Sequence, residues 1–247
     1  MSWGEWSTAS SLYFEHSFTY LGVGGTMFFF CLNINETAWA VFYYGGDIIR
    51  KLLIVGAGGH GRCCLDIIRD LNCYDEISFL DDSCVDKTIN DCKVIGGIDK
   101  IENCYPEYKD IFIAIGNNEL RKKLIHKVKD IGYHVISVIA PNATVSSYAT
   151  IKEGTVVFYH AVIEANAKIG TGCIITANTT VNHDAIIEDY CLIYSNSVIR
   201  PNALIGSMSR IGSNCTVAFN TKIKADSDIE DGSVIKPSDE YSFEVGV

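Results

Sequence analysis

A histidine followed directly by a carboxylate is the pairing in this 247-residue chain best suited to acid–base chemistry. His183 and Asp184 form the pair, in the segment Val181-Asn182-His183-Asp184. An imidazole with a pKa near neutrality can take a proton from an attacking nucleophile, and a neighbouring carboxylate can fix its tautomer and stabilise the imidazolium. Because most single surface histidines have no chemical role, the pair is a candidate only in combination with other motifs.

A glycine-rich turn supplies a second candidate site. Gly56-Ala57-Gly58-Gly59-His60-Gly61 follows a short apolar run and precedes a helical pattern. Glycines let a backbone approach a phosphate closely, and a helix N-terminus favours anions. Asp81 lies 20 residues beyond Gly61, where a dinucleotide-binding unit carries its ribose-binding acid. A plain strand-to-helix turn has the same pattern, and a unit of about ninety residues is too small for NAD binding together with a substrate domain.

The elements that would position this turn are alternating strands and helices over residues 51–140. Short apolar runs predict the strands, and one apolar face over Arg62–Leu71 predicts a helix after the turn. A β-α-β order of this kind implies a parallel sheet. The predicted strands are Lys51–Val55, Glu76–Leu80, Ile111–Ile115 and Val135–Ile139, and a second helix is predicted at about residues 118–131.

Residues 141–247 carry a period of six, which is the strongest pattern in the chain. Ile or Val occupies every sixth position from Val145 to Ile235, sixteen times without a gap, and Ala, Cys, Ser or Thr stands two positions before each. This period fits neither an α-helix nor an alternating strand, but it is typical of a parallel β-helix in which three hexapeptides make one triangular coil. We therefore expect roughly five coils, with the aliphatic residues inside and the small ones near the corners.

Composition and charge exclude several classes of protein. The net charge of −10 and pI of about 5.0 argue against a nucleic-acid partner, which needs a basic surface. The sequence contains no apolar run of about 18 residues, the length that would span a membrane. It also contains no C-x-x-C motif, the spacing typical of a zinc site. Ten cysteines without a disulfide framework favour the cytoplasm, and three of them fill small-residue positions of the repeat: Cys173, Cys191 and Cys215.

Residues 1–50 follow neither pattern. They are rich in aromatic side chains, and Arg50 is the first lysine or arginine. We expect a packing extension, with a membrane-associating segment as the alternative.

Motifs in both halves of the chain together resemble one family of enzymes. They are the turn within Ile54–Gly61, the run Phe79–Asp82, the run Ile113–Lys123 and the segment Val181–Asp184 inside the repeat. In this order they resemble the hexapeptide-repeat sugar acetyltransferases, of the sialic acid O-acetyltransferase and UDP-4-amino-4,6-dideoxy-sugar N-acetyltransferase type. The resemblance implies an α/β Rossmann-like nucleotide-sugar-binding unit over 51–140 and a left-handed parallel β-helix over 141–247, with 1–50 as an extension of unknown role.

The resemblance also implies an activity and a site. Acetyl would pass directly from acetyl-CoA to the 4-amino group of a UDP-linked deoxy sugar for glycan biosynthesis, in a homotrimer. His183 would be the general base and Asp184 would orient it, while Arg121 is either a cleft residue or a solvated helix charge. The residues expected to hold the nucleotide sugar are Gly58, Gly59, His60, Asp81, Asp82, Gly116, Asn117 and Asn118. Those expected at the cofactor are Leu192, Pro201, Asn202 and Gly212.

Three departures from the family pattern bear on the cofactor site. Pro201 stands where relatives carry a glycine whose N–H helps to bind acetyl-CoA, and proline has no N–H. Leu192 replaces a histidine that close relatives carry near the thioester, and the sequence stops at Val247, where relatives have a capping segment that touches CoA. Two alternatives stay open: O-acetylation of a sialic acid or other sugar hydroxyl, and a diverged non-catalytic nucleotide-sugar-binding or assembly protein.

Overall fold

The computed structural model describes residues 18–23, 26–31 and 49–237. Strands β1 (Phe18–Val23) and β2 (Thr26–Cys31) pair antiparallel as a hairpin. The remainder of the predicted extension lies outside the described residues, and so does the segment 238–247 in which the chain was expected to lack a cap. Within the described part of the chain, no helix has the length and apolarity needed to cross a membrane.

An α/β unit with one six-stranded sheet follows. Every strand pairing is parallel except that between β5 and β6, and the central strands are almost wholly buried, as expected for a parallel sheet covered on both faces. The strands are β3 (Lys51–Val55), β4 (Glu76–Leu80), β5 (Thr88–Ile89), β6 (Cys92–Gly96), β7 (Asp110–Ile113) and β8 (His134–Val135), in the order β5-β6-β4-β3-β7-β8. The helices are α1 (Gly59–Leu71), α2 (Ile101–Cys104), which a 3-10 turn at Ile98–Lys100 precedes, and α3 (Asn118–Ile131).

Two helices begin at the turns in which the candidate substrate residues lie. Helix α1 follows Gly58 and packs one apolar face on the sheet. Helix α3 begins where it does because the Asn117 side chain accepts a hydrogen bond from Leu120 N at 2.9 Å, and it ends at Gly132 with a φ of 108°. Because β3 and β7 are parallel neighbours, both turns lie at the same edge of the sheet.

A parallel β-helix with three faces occupies residues 138–235. Its two-residue strands stack in register on strands 18 residues away, and the second residue of each strand points into the core, as the period of six predicts. The first face contains Val138–Ile139, Val156–Val157, Ile174–Ile175, Leu192–Ile193, Arg210–Ile211 and Asp228–Ile229. The second contains Thr144–Val145, Val162–Ile163, Thr180–Val181, Val198–Ile199, Thr216–Val217 and Val234–Ile235, and the third Thr150–Ile151, Lys168–Ile169, Ile186–Ile187, Leu204–Ile205 and Lys222–Ile223.

Two sequence-based boundaries change. The predicted strand Val135–Ile139 is two strands in different sheets, because β8 completes the α/β sheet while Val138–Ile139 pairs with Val156–Val157 in the β-helix. The β-helix ladder therefore begins before residue 141. Ile139 fits the same period of six, so the repeat itself carried this information.

The corners of the β-helix explain the recurring polar residues. Every sixth residue from Gly154 to Gly232 has a positive φ, between 55° and 74°. This left-handed conformation is least unfavourable for glycine, asparagine and aspartate. Asp184 is one of these residues, with a φ of 59°. The histidine–carboxylate pair thus lies in a corner turn whose conformation favours an aspartate.

The α/β unit packs on the first face of the β-helix. Outward-facing Val156, Ile174 and Leu192 are buried in one apolar cluster with side chains of α1 and β3. The second and third faces meet at the opposite corner of the triangular coil, which we call the outer corner. Its turns are residues 147–148, 165–166, 183–184, 201–202 and 219–220.

Candidate functional site

The outer corner holds the predicted acid–base pair in hydrogen-bonded contact. His183 Nδ1 lies 2.8 Å from Asp184 Oδ2, and Asn166, one coil earlier, donates from Nδ2 to Asp184 Oδ1 at 3.2 Å. Glu164 Oε2 accepts the backbone N–H of His183 at 2.8 Å. Both side chains of the pair remain about half exposed, at 53% and 45%. The pair is therefore fixed in position and open to a reactant.

The electrostatics of the pair suit a general base. The hydrogen bonds from His183 and then Asn166 lower the pKa of Asp184 below its usual value, so this carboxylate is ionised at neutral pH. An ionised carboxylate beside Nδ1 favours the tautomer with its hydrogen there. Nε2 is then left with a free lone pair that can accept a proton.

Glu164 and Asn166 are positioning residues that the sequence interpretation missed. They lie 19 and 18 residues before His183 and Asp184, which is one coil of the repeat. The spacing of the repeat contained this signal, because residues one coil apart are neighbours along a corner.

A second histidine–aspartate pair shows that pair geometry alone does not define a site. His134 Nδ1 lies 2.8 Å from Asp110 Oδ1, and the hydrogen bond raises the pKa of His134. This pair lies at the amino-terminal ends of β7 and β8, whereas the glycine-rich turn follows the carboxyl end of β3. It is therefore a natural control for the pair at the outer corner.

The glycine-rich turn separates into glycines that pack and glycines that face open space. A Cβ on Gly61 would lie 1.9 Å from the carbonyl oxygen of Gly56, so glycine is required there for α1 to approach the turn. Cβ atoms on Gly58, Gly59 and Gly116 would meet nothing within 4 Å. These three predicted substrate residues leave their backbone open to a ligand.

His60 joins this turn to the β-helix. Its ring lies 5.8 Å from that of Phe158, between ring centroids, and 3.7 Å separates its Nε2 from Cys64 Sγ. Burial, and secondarily the charge of Arg121, lowers the pKa of His60 from 6.5 to about 4. At neutral pH this side chain is therefore uncharged and can offer a ligand a hydrogen bond but no positive charge.

The two predicted acids already have hydrogen-bond partners in the fold. Asp81 Oδ2 accepts the backbone N–H of Ala57 at 2.8 Å, and its Oδ1 accepts that of Ser83 at 2.8 Å. Asp82 Oδ1 accepts the N–H of Ile98 at 2.7 Å. Asp81 thus holds the glycine-rich turn in shape, and Asp82 is the more exposed of the two at the rim.

The predicted asparagines after β7 are also engaged. Asn117 caps α3, and Asn118 Nδ2 donates to the carbonyl oxygen of Met208 in the β-helix at 2.8 Å. The expectation that Arg121 is a solvated helix charge is wrong, because its side chain is 1% exposed and hydrogen-bonded on every side. The run Gly116–Arg121 therefore lies at the same edge of the sheet as the glycine-rich turn and is anchored to the β-helix.

The four residues expected at the cofactor do not come together. Pro201 and Asn202 lie one coil beyond the pair on the outer corner, where Asn202 N contacts the carbonyl oxygen of His183 at 3.4 Å. Leu192 is 7% exposed beneath the α/β unit on the first face. Gly212 follows that same face and donates to Ile229 O at 2.9 Å. The structure thus gives Leu192 almost no surface that a cofactor could contact.

A cavity of about 590 Å³ lies elsewhere in the α/β unit. Its walls come from the end of α1 and the starts of β4 and β6, including Arg69, Tyr74 and Glu76. None of the predicted site residues lines it, and we assign no role to it.

Comparisons with known proteins match both halves of the chain. The family model described as PglD N-terminal domain matches residues 51–128, and that of the bacterial transferase hexapeptide (six repeats) matches 184–218. The acetyltransferase domain of PglB from Neisseria gonorrhoeae FA1090 is 34% identical, with a TM-score of 0.74 over 76% of this chain and 92% of that one.

Two further solved structures contain ligands. The same PglB domain in complex with acetyl coenzyme A is 33% identical, with a TM-score of 0.68 over 75% of this chain and 95% of that one. A point mutant of perosamine N-acetyltransferase from Caulobacter crescentus, in complex with CoA and GDP-perosamine, is 25% identical, with a TM-score of 0.71 over 77% and 90% of the two chains.

Proposed function

The chain belongs to the hexapeptide-repeat sugar acetyltransferases, and from this premise we propose that it transfers acetyl from acetyl-CoA to the 4-amino group of a UDP-linked 4-amino-4,6-dideoxy sugar. Membership confirms the predicted acyltransferase class and the Rossmann-like unit followed by a left-handed β-helix. The similar perosamine enzyme is an N-acetyltransferase, which favours N-acetylation over the O-acetyl alternative. UDP is proposed on the motifs of the α/β unit, with GDP as the alternative that the perosamine enzyme suggests.

The observation that carries this proposal is the His183–Asp184 pair on the outer corner, with Nε2 available as a base. The sugar amine attacks the thioester carbonyl, so a C–N bond forms as the C–S bond breaks. His183 Nε2 accepts the proton that the amine loses and then donates it to the departing CoA thiolate, which regenerates the base. No acyl-enzyme is needed, because a free amine is nucleophilic enough to attack directly.

The nucleotide sugar fits the cleft between the glycine-rich turn and Gly116. Three glycines expose their backbone there, and the N-terminus of α1 favours a phosphate. This arrangement supports roles for Gly58, Gly59 and His60 in substrate binding. Asn117 and Asn118 support the cleft through its backbone, because their side chains are bonded within the protein.

A homotrimer would bring the two halves of the site together. In one chain the cleft belongs to the α/β unit on the first face, while the pair lies on the outer corner opposite that face. We therefore propose that the sugar held by one subunit reaches the pair of a neighbour, with acetyl-CoA between adjacent β-helices. Pro201 and Asn202 are the cofactor residues that this arrangement retains, because they lie on the same corner as His183.

We propose that the reaction takes place in the cytoplasm. All nine cysteines within residues 49–237 are free thiols. Three of them occupy small-residue positions inside the β-helix, where they pack as small apolar groups. This state suits a reducing compartment.

Release of CoA thiol on the full chain tests the proposal. The panel contains acetyl-CoA with UDP- and GDP-linked 4-amino-4,6-dideoxy sugars and with matched sugars that carry a hydroxyl instead of the amine. Thiol release only with the amines supports the proposed activity, and the better nucleotide identifies the substrate. Release only with hydroxyl sugars would establish the O-acetyl alternative. Binding of UDP-sugar without CoA binding would establish a non-catalytic protein.

A further inference from the structure

Arg121 is a buried cation that has only neutral hydrogen-bond partners. Its side chain is 1% exposed, and among the described residues it forms no ion pair with a carboxylate. A buried charge is unfavourable unless it is compensated, and neutral oxygens satisfy its N–H groups without cancelling the charge. The partners are Gly172 O at 2.7 Å, Asn118 Oδ1 at 2.8 Å, Ile115 O at 2.9 Å, Gly116 O at 3.0 Å and Tyr190 O at 3.1 Å.

These contacts join the substrate cleft to the β-helix. Nη1 holds the carbonyl oxygens of Ile115 and Gly116, in the loop after β7 that forms one side of the cleft. Arg121 Nε and Nη2 donate to carbonyl oxygens on two successive coils of the β-helix. Asn118 donates to the carbonyl oxygen of Met208 on the next coil. The geometry of Arg121 therefore fixes the position of the cleft loop relative to the β-helix.

The charge of Arg121 also reaches the opposite side of the cleft. Its repulsion contributes to lowering the pKa of His60, in the glycine-rich turn, after burial itself. Burial lowers the pKa of Arg121 to about 10, so the guanidinium stays protonated at neutral pH. Gly58 and Gly59 directly precede His60, Gly116 O accepts a hydrogen bond from Arg121, and a Cβ on any of these glycines would meet nothing within 4 Å.

We propose that Arg121 is a positioning residue for the nucleotide sugar, holding the Gly116 loop in place and stabilising the substrate's diphosphate through its uncompensated positive charge. The inference rests on the proposed function, because it takes a nucleoside diphosphate as the occupant of the cleft. The diphosphate supplies the negative charge that the protein does not place beside this arginine. Arg121 does this without being a catalytic residue.

Calorimetric binding to the full chain tests this inference, with UDP and GDP compared with uridine and guanosine. In Arg121→Met we expect both ligands to bind more weakly, because the contacts to the Gly116 loop are lost, and affinity for the better diphosphate to fall about 10-fold more than affinity for its nucleoside. Lys123→Met is the matched control, since it removes an exposed charge from the same helix, and it should bind both ligands as the wild type does. CoA affinity should be unchanged in both variants.

Several results would overturn the inference. One is a folded Arg121→Met protein that loses equal affinity for diphosphate and nucleoside, because that is the result of a merely structural role. Another is a wild type that binds neither UDP nor GDP. If Arg121→Met does not fold, Arg121→Lys tests the inference instead, because it keeps the positive charge and loses the hydrogen bonds of the guanidinium group. We expect it to retain the preference for diphosphate while both ligands bind more weakly, and wild-type affinity for both would contradict the positioning role. A wild type that binds UDP but transfers no acetyl group would refute the activity and leave this result standing.

Discussion

Replacing His60 with glutamine should change how the stability of the protein depends on pH. Burial lowers the pKa of His60 from 6.5 to about 4, with a further contribution from Arg121. Between these two pH values the unfolded chain binds a proton at this residue and the folded protein does not. Stability must then fall as pH decreases through this window, by about 1.4 kcal/mol per pH unit and about 3 kcal/mol in total. His60→Gln lacks this contribution.

Urea unfolding between pH 7.5 and 4.0 measures the effect. The wild type should lose about 3 kcal/mol more free energy of unfolding across this range than His60→Gln. The glutamine also removes the contact with Phe158, but that loss does not depend on pH and cancels in the comparison. His160→Gln is the control for loss of an imidazole, because His160 is exposed on another corner. Parallel stability curves for wild type and His60→Gln would refute the reasoning.

Three further variants test separate parts of the site, the first two with a matched partner. Gly61→Ala places a Cβ 1.9 Å from a backbone oxygen and should lower thermal stability by about 2 kcal/mol or more. Gly58→Ala, with nothing within 4 Å, should instead keep stability and weaken UDP binding. Glu164→Ala should lower kcat about 10-fold. Glu188→Ala loses the equivalent hydrogen bond to a turn N–H, at 2.9 Å, and should leave kcat unchanged. Equal kcat values in the two variants would contradict the positioning role of Glu164. Pro201→Gly restores an N–H and should tighten CoA binding about fivefold by calorimetry, and an unchanged affinity would remove Pro201 from the cofactor site.

The period of six made the β-helix predictable in detail. A repeat that places one aliphatic residue in every six leaves little choice of fold, and it also fixes which residues are neighbours along a corner. His183, Glu164 and Asn166 are brought together by this spacing alone. The strand over residues 135–139 was harder to divide, because two apolar dipeptides in different sheets are continuous in sequence.

The packing of the α/β unit on the β-helix could not be predicted from the sequence. Leu192 stands at a repeat position that is outward-facing in any coil, and only the docking of the α/β unit buries it. Arg121 lies three and four residues before Leu124 and Ile125, on the buried face of α3, but nothing local identifies its partners, which are carbonyl oxygens 51 and 69 residues away. Asp81 matches the position of a ribose-binding acid, while its carboxylate instead holds the turn at Ala57. Each outcome depends on contacts between distant segments that leave no local pattern.

The steady-state rate of acetyl transfer in His183→Ala, compared with His134→Ala, tests the central claim most directly. Both histidines lie 2.8 Å from an aspartate oxygen and are about half exposed, so loss of a histidine–aspartate pair is common to both variants. With a 4-amino sugar nucleotide and saturating acetyl-CoA, we predict that kcat falls about 100-fold or more in His183→Ala and stays at the wild-type value in His134→Ala. A His183→Ala protein with full activity would contradict the assignment of this corner as the active site.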